Sequence, residues 1–197
     1  MDRKCDESKY DFVIFPFHSG IINGLDICLK KTLIATCSSD NSVRIWNYQT
    51  RTLEICETYI DEPISVAFHP SGLHLVIGFL DRVRIMNVYA RNLKQIPDIN
   101  INFKGCKEIK FSNGGHLFAC TNGYTVNVVR FYQGEQPEDY VFREHMGRVK
   151  AIQWLDDDSG LASVGMDGTC IMWRLHPDSL EMFSIEQDRN KEEKKKN

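Results

Sequence analysis

An all-β chain of about four β-propeller blades is what the sequence predicts, and three observations predict it. Residues 18–47 and 145–174 share one spacing, with 22 positions from His to Asp and 28 from His to Trp in each. Between them an apolar column continues through Leu25, Val66, Ile109 and Ile152, at steps of 41, 43 and 43 residues. Each period holds short runs of alternating apolar residues bounded by turn residues, and no helical period appears. A unit of that size cannot bury both faces of its own small sheet, so such units stack radially and share a core.

The elements follow in order. Residues 10–15 (YDFVIF) read as a strand. The first repeat sets Leu25 and Ile27 on one strand, an apolar run at 33–37 on a second, and Val43, Ile45 and Trp46 on a third. Ser39-Asp40-Asn41 is the hairpin signal between the last two. Ile27 is matched by Phe68, Phe111 and Trp154; Ile34 by Leu75, Phe118 and Leu161; Trp46 by Met86, Val129 and Trp173. Turn residues recur at Lys30-Lys31, Pro70-Ser71-Gly72, Asn113-Gly114-Gly115 and Asp157 to Gly160. Further strands are expected at 52–56, 99–103 and 140–142, one before each later unit, and Met182, Phe183 and Ile185 suggest one more. The expected organisation is an N-terminal tail over 1–9, repeats over about 10–47, 48–88, 89–131 and 132–186, and a charged, solvated tail over 187–197.

Bulk properties narrow the function classes. A net charge of -3 gives no global reason to expect nucleic acid. The first eleven residues are charged and lack the apolar core of a signal peptide, and no apolar run approaches the roughly 20 residues of a membrane helix. A cytoplasmic protein with no membrane partner is expected. Its seven cysteines are odd in number, form no C-x-x-C pair and mostly sit in strand-like text. They read as small buried thiols rather than a metal site, and no cofactor is expected.

At this point the residues resemble the WD40 family. ATCSSDNSVRIWN and ASVGMDGTCIMWR carry that repeat's small residue, turn Asp and Trp in register, with Trp46-Asn47 and Trp173-Arg174 where the family's name-giving Trp-Asp stands. Repeats two and three are degenerate: the second keeps Asp81 but has Met86 for Trp and no starting His, and the third has Asn122-Gly123 at the Asp turn. The resemblance implies a hydrogen-bonded structural tetrad of His18, Thr36, Asp40 and Trp46, and a second of His145, Ser163, Asp167 and Trp173. A buried turn carboxylate is tolerable when an imidazole, a hydroxyl and backbone amides satisfy it. Two such sets in different blades, with no Gly-x-Ser-x-Gly elbow, argue for architecture over catalysis. Asp156 to Asp158 and Gly114-Gly115 occupy hairpin turns, so neither reads as a metal or phosphate site, and Arg44 and Arg84 read as strand-surface or pairing residues.

The wording of three consecutive repeats also looks like the WD-repeat part of the cilia- and flagella-associated protein fifty-seven family. That resemblance implies a place in the axoneme and a part in inner dynein arm assembly, with axonemal or dynein-arm proteins as partners and no nucleic acid or small-molecule substrate. Members carry further repeats and a long coiled coil, so an open arc cut from a larger ring is expected. The expected function is a non-enzymatic protein-binding scaffold. The loops before each first strand and the turns after each second strand supply its binding face: Ile21, Asn23 and Ser39; Glu62, Ile64 and Leu80; Gly105 and Lys107; Arg148, Lys150 and Met166. The alternatives are a WD40 adaptor outside cilia, as a ubiquitin-ligase substrate receptor or trafficking subunit, and a propeller enzyme. The enzyme needs polar groups converging on the axis, where the innermost columns show mainly aliphatic residues.

Overall fold

A computed structural model describes residues 17–96, 105–131 and 140–175. Four antiparallel sheets follow one another along the chain. The first contains β1 (Ile22–Ile27), β2 (Leu33–Ser38), β3 (Ser42–Asn47) and β4 (Thr52–Thr58). The second contains β5 (Ser65–Phe68), β6 (His74–Gly78), β7 (Val83–Val88) and β8 (Leu93–Gln95). The third runs from β9 (Cys106–Phe111) through β10 (Leu117–Asn122) and β11 (Thr125–Arg130) to β12 (Tyr140–Phe142). The fourth has three strands among the described residues, β13 (Val149–Trp154), β14 (Gly160–Gly165) and β15 (Cys170–Arg174). This is a four-bladed β-propeller arrangement, in agreement with the four-unit reading.

The strands at 52–58 and 140–142 pair outward, onto β3 and β11 of the preceding sheets. A structural blade is thus offset by one strand from a sequence repeat that begins with its outer strand. The outer strand of the second blade is Leu93–Gln95, which the sequence pattern did not mark. The strands expected at 10–15, 99–103 and 181–185, and both expected tails, lie outside the described residues.

The recurring columns are where the blades meet. Ala35, Cys37, Val43, Ile45 and Ile55 of the first blade pack against Val66, Phe68, Leu75 and Met86 of the second. Ala67, Val76, Val83 and Ile85 of the second pack against Ile109, Phe118, Cys120 and Val129 of the third. Leu117, Ala119, Val126 and Val128 of the third pack against Ile152, Trp154, Leu161 and Trp173 of the fourth. One face of each blade carries small and β-branched residues, and the other carries the larger ones, so the two interdigitate.

That alternation identifies the open side of the arc. Val66, Ile109 and Ile152 are 4%, 2% and 3% exposed, whereas Leu25 in the same column is 54% exposed. Among the described residues no blade lies on the face formed by Ile22, Leu25, Ile34 and Trp46, which lines an apolar groove of about 370 Å³. Covering a half-exposed leucine such as Leu25 contributes on the order of 1 kcal/mol.

Two polar systems tie the blades beyond the apolar contacts. At the hairpins joining first and second strands, Lys31 Nζ donates to the Gly72 carbonyl at 2.8 Å and His69 Nε2 donates to the Gly115 carbonyl at 3.0 Å. Asp158 accepts the backbone N–H groups of Asn113 and Gly114 at 2.8 and 2.6 Å. Gly115 sits at φ 78°, and a Cβ there would meet the His69 ring, so the position demands glycine twice over. On the innermost strands, Asp26 accepts the Phe68 N–H at 2.7 Å and faces Lys110 Nζ at 3.4 Å. One carboxylate therefore links three blades. Burial pushes the neighbouring Glu108 carboxyl above its ordinary value, against the pull of Lys110. The inner columns thus carry more polar chemistry than the aliphatic positions alone indicated, because Asp26, Glu108 and Lys110 alternate with them.

Candidate functional site

The turn carboxylates organise the first and fourth blades. In the first, His18 Nδ1 lies 3.0 Å from Asp40 Oδ2, and His18 Nε2 lies 2.7 Å from Thr36 Oγ1. Trp46 Nε1 donates to the same Thr36 oxygen at 2.8 Å. A carboxylate can only accept, so Nδ1 carries the proton that Asp40 receives; Nε2 of the neutral ring then accepts the Thr36 hydroxyl proton, and Thr36 Oγ1 accepts the indole N–H. Asp40 also accepts from the Ser42 hydroxyl at 2.6 Å and the Ser19 N–H at 3.0 Å. Burial works against this carboxylate, but the Ser42, Ser19 and His18 bonds outweigh it and hold Asp40 well below the usual carboxylate range.

The fourth blade repeats the arrangement. His145 Nδ1 lies 3.1 Å from Asp167, His145 Nε2 lies 2.7 Å from Ser163 Oγ, and Trp173 Nε1 donates to Ser163 at 2.8 Å. The Thr169 hydroxyl donates to Asp167 at 2.7 Å and is the main cause of its carboxyl lying well below the usual carboxylate range. Phe142 stacks on Trp173 with ring centres 5.1 Å apart. The order of hydroxyl, imidazole and carboxylate is that of a hydrolase, yet the hydroxyl is buried in both blades and also accepts an indole N–H. The arrangement ties the second and third strands of each blade to the segment before its first strand.

The middle blades use other devices. Without a His partner, Asp81 stays exposed and pairs with its neighbour Arg82 at 3.1 Å. Arg82 also holds Asp61 at 2.6 Å, and Arg84 lies over the Phe79 ring at 4.9 Å. Arg44 reaches Asp40 at 3.5 Å and the Phe17 carbonyl at 3.0 Å, so both third-strand arginines serve packing and pairing.

The loop face carries two adjoining clefts. Asn23, Glu62, Ile64, Leu80 and Lys107 converge on the first, of about 780 Å³, together with Ile60, Asp61 and Asp81. Leu80, Gly105, Lys107 and Arg148 converge on the second, of about 670 Å³, together with Tyr124 and Asn122. Leu80, Asp81 and Lys107 belong to both, so the clefts form one continuous furrow. Ile21 and Ser39 on the first blade and Lys150 and Met166 on the fourth are exposed on loops and strand ends beyond it. The Ser39 hydroxyl is occupied by the Ile21 N–H at 2.8 Å, and Asn23 by Glu62 at 2.8 Å. The repeat alignment missed Ile60, Asp61 and Tyr124. A lone isoleucine in a loop at Ile60 and a tyrosine after the Asn122-Gly123 turn were the available signals.

Among the described residues no three His, Cys, Asp or Glu side chains gather as a metal site requires. Cys28, Cys37, Cys106 and Cys120 are buried, and burial pushes the Cys37 thiol up to about 12. Cys56 and Cys170 depart from the buried-thiol expectation: both are exposed, Cys56 on an outer strand and Cys170 on the uncovered side of the last described blade.

Two full tetrads in register, on antiparallel blades, coincide with the segments 11–47 and 137–174 that match the profile of the WD domain, G-beta repeat. The chain is built of WD repeats. This WD-repeat chain is 43% identical over 190 residues to cilia- and flagella-associated protein 57 A of Tetrahymena thermophila, covering 96% of the chain and 14% of that protein. It is 42% identical over 173 residues to cilia- and flagella-associated protein 57 of Mus musculus, covering 87% of the chain and 14% of the relative. WD repeat-containing protein 1 of Gallus gallus is 31% identical over 116 residues, covering 58% of the chain and 19% of that protein. The chain therefore spans about one-seventh of the length of the cilia- and flagella-associated relatives it matches.

Proposed function

We propose that the chain is a non-enzymatic scaffold that docks proteins of the ciliary or flagellar axoneme in its loop-face furrow, in the assembly of inner dynein arms. The observation that carries the docking half is the furrow itself. Leu80 and Tyr124 are 70% and 53% exposed within it, on loops whose flanking strands are fixed by inter-blade bonds. Apolar and aromatic anchors beside arginine and lysine are the composition of a protein interface. The similarity over nearly the whole chain to proteins named as cilia- and flagella-associated supports the axonemal half. Both tetrad hydroxyls are engaged and buried, which supports a scaffold over a hydrolase.

Localisation of a tagged chain in a ciliated cell tests the reading. Enrichment along the axoneme is expected, and it is expected to fall in the Leu80→Asp variant while folded protein persists. Exclusion of the wild-type chain from the axoneme favours an adaptor acting elsewhere and overturns the ciliary assignment.

A further inference from the structure

We infer that the cleft between the second and fourth blades is a docking site for an acidic linear segment of a partner protein. The inference rests on the docking function proposed above and specifies its chemistry. The two halves of the furrow differ in how their charges are spent. On the side of the first cleft every carboxylate is engaged: Asp61 and Asp81 both hold Arg82, and Glu62 holds Asn23. The second cleft shares Asp81, already held by Arg82, and there Lys107 and Arg148 line the cavity and make no ion pair or side-chain hydrogen bond among the described residues. Lys150 stands exposed on the adjoining strand.

Unspent cations beside exposed Leu80 and Tyr124 select a ligand that carries carboxylates next to apolar side chains. The cleft is a wide furrow with Gly105 and Gly123 on its rim, and a Cβ at either would meet nothing within 4 Å. An extended backbone can lie there, whereas a small ligand would gain little enclosure. A long polyanion is disfavoured: the chain carries net charge -3, and Asp61, Glu62 and Asp81 continue the same furrow. A short acidic segment touches the local cations and stops before reaching Asp61 and Glu62, while the charge of Asp81 at the shared edge is engaged by Arg82.

The test uses the full chain and three fluorescent synthetic peptides of equal length that share their Leu and Phe positions. The intervening residues are Asp and Glu in one, Ser and Gln in the second, Lys and Arg in the third. Fluorescence anisotropy is expected to show the acidic peptide binding about tenfold more tightly than either other, with affinity falling as salt rises. The double variant Lys107→Glu/Arg148→Glu is expected to weaken it by at least about tenfold, and Arg91→Glu/Lys94→Glu, the same charge change at the exposed Arg91 and Lys94 of the second blade, to leave it unchanged. Matching circular dichroism and thermal midpoints establish that the double variant is folded. The inference is overturned if the acidic peptide does not bind, if the Ser/Gln peptide binds as well, if the double variant binds equally, or if a single-stranded oligonucleotide binds more tightly. Axonemal enrichment that depends on Leu80 but not on Lys107 and Arg148 leaves the docking function standing and removes this specification of it.

Discussion

Removing the central hydroxyl of each tetrad measures how much those networks hold. Ser163 in the fourth blade accepts the Trp173 N–H at 2.8 Å and serves His145 at 2.7 Å, all three residues are buried, and Phe142 stacks on Trp173. Ser163→Ala leaves an indole N–H and an imidazole nitrogen without partners. Each stranded buried group costs about 1–3 kcal/mol, so the loss is expected near 3 kcal/mol. Thr36→Val makes the same deletion in the first blade while keeping the side-chain volume. There the Phe17–Trp46 groove of about 370 Å³ adjoins the network, and water can reach the freed groups. The expected loss is about 2 kcal/mol, smaller than in the fourth blade. Urea unfolding followed by tryptophan fluorescence reads both. Losses below about 0.5 kcal/mol, the range of ordinary surface substitutions, would refute the claim that the tetrads fix the blades. A larger loss at Thr36 than at Ser163 would refute the role assigned to burial.

Other perturbations test separate parts of the structure. Asp26→Ala strands the Phe68 N–H and frees Lys110, and is expected to cost about 2 kcal/mol in the same assay, with Lys110→Met costing less. The lowered pKa values of Asp40 and Asp167 fix an acid limit. Their folded values lie below the unfolded 3.8, so their stabilisation is complete above that pH and is lost as pH falls beneath it. The unfolding midpoint is expected to drop steeply there, and less so in the Asp40→Asn/Asp167→Asn variant. His69 works in the same direction at higher pH. Burial lowers its value below 6.5, so the folded chain resists its protonation and stability declines as pH falls through and below 6.5, a slope that His69→Leu removes. Among the described cysteines, thiol reagents are expected to label Cys56 and Cys170 in the native chain and to reach Cys28, Cys37, Cys106 and Cys120 only on unfolding.

The blades were legible because their signal is periodic. The columns headed by Leu25, Ile34 and Trp46 recur at 40–44 residues, and the structure uses those columns to face one blade against the next. Features without a period were not legible. The outer strand Leu93–Gln95 is three residues long and mostly exposed, so it lacks an alternating pattern. Asp26 and Lys110 are 84 positions apart and meet only because the innermost strands converge. Asp81 occupies the tetrad column, yet it lies exposed because no His stands ahead of its blade's first strand. The furrow was partly legible. Lys107 and Arg148 come from aligned loop positions, but Asp61 and Tyr124 sit where the loops differ in length between repeats, so alignment passed over them.

The central claim is that the loop-face furrow docks axonemal protein, and co-sedimentation with isolated, demembranated axonemes tests it most directly. The wild-type chain is expected to pellet saturably with axonemes, and the Leu80→Ala/Tyr124→Ala variant, with an unchanged thermal midpoint, is expected to stay in the supernatant. Equal pelleting of the two chains, or no saturable pelleting of either, would contradict the account.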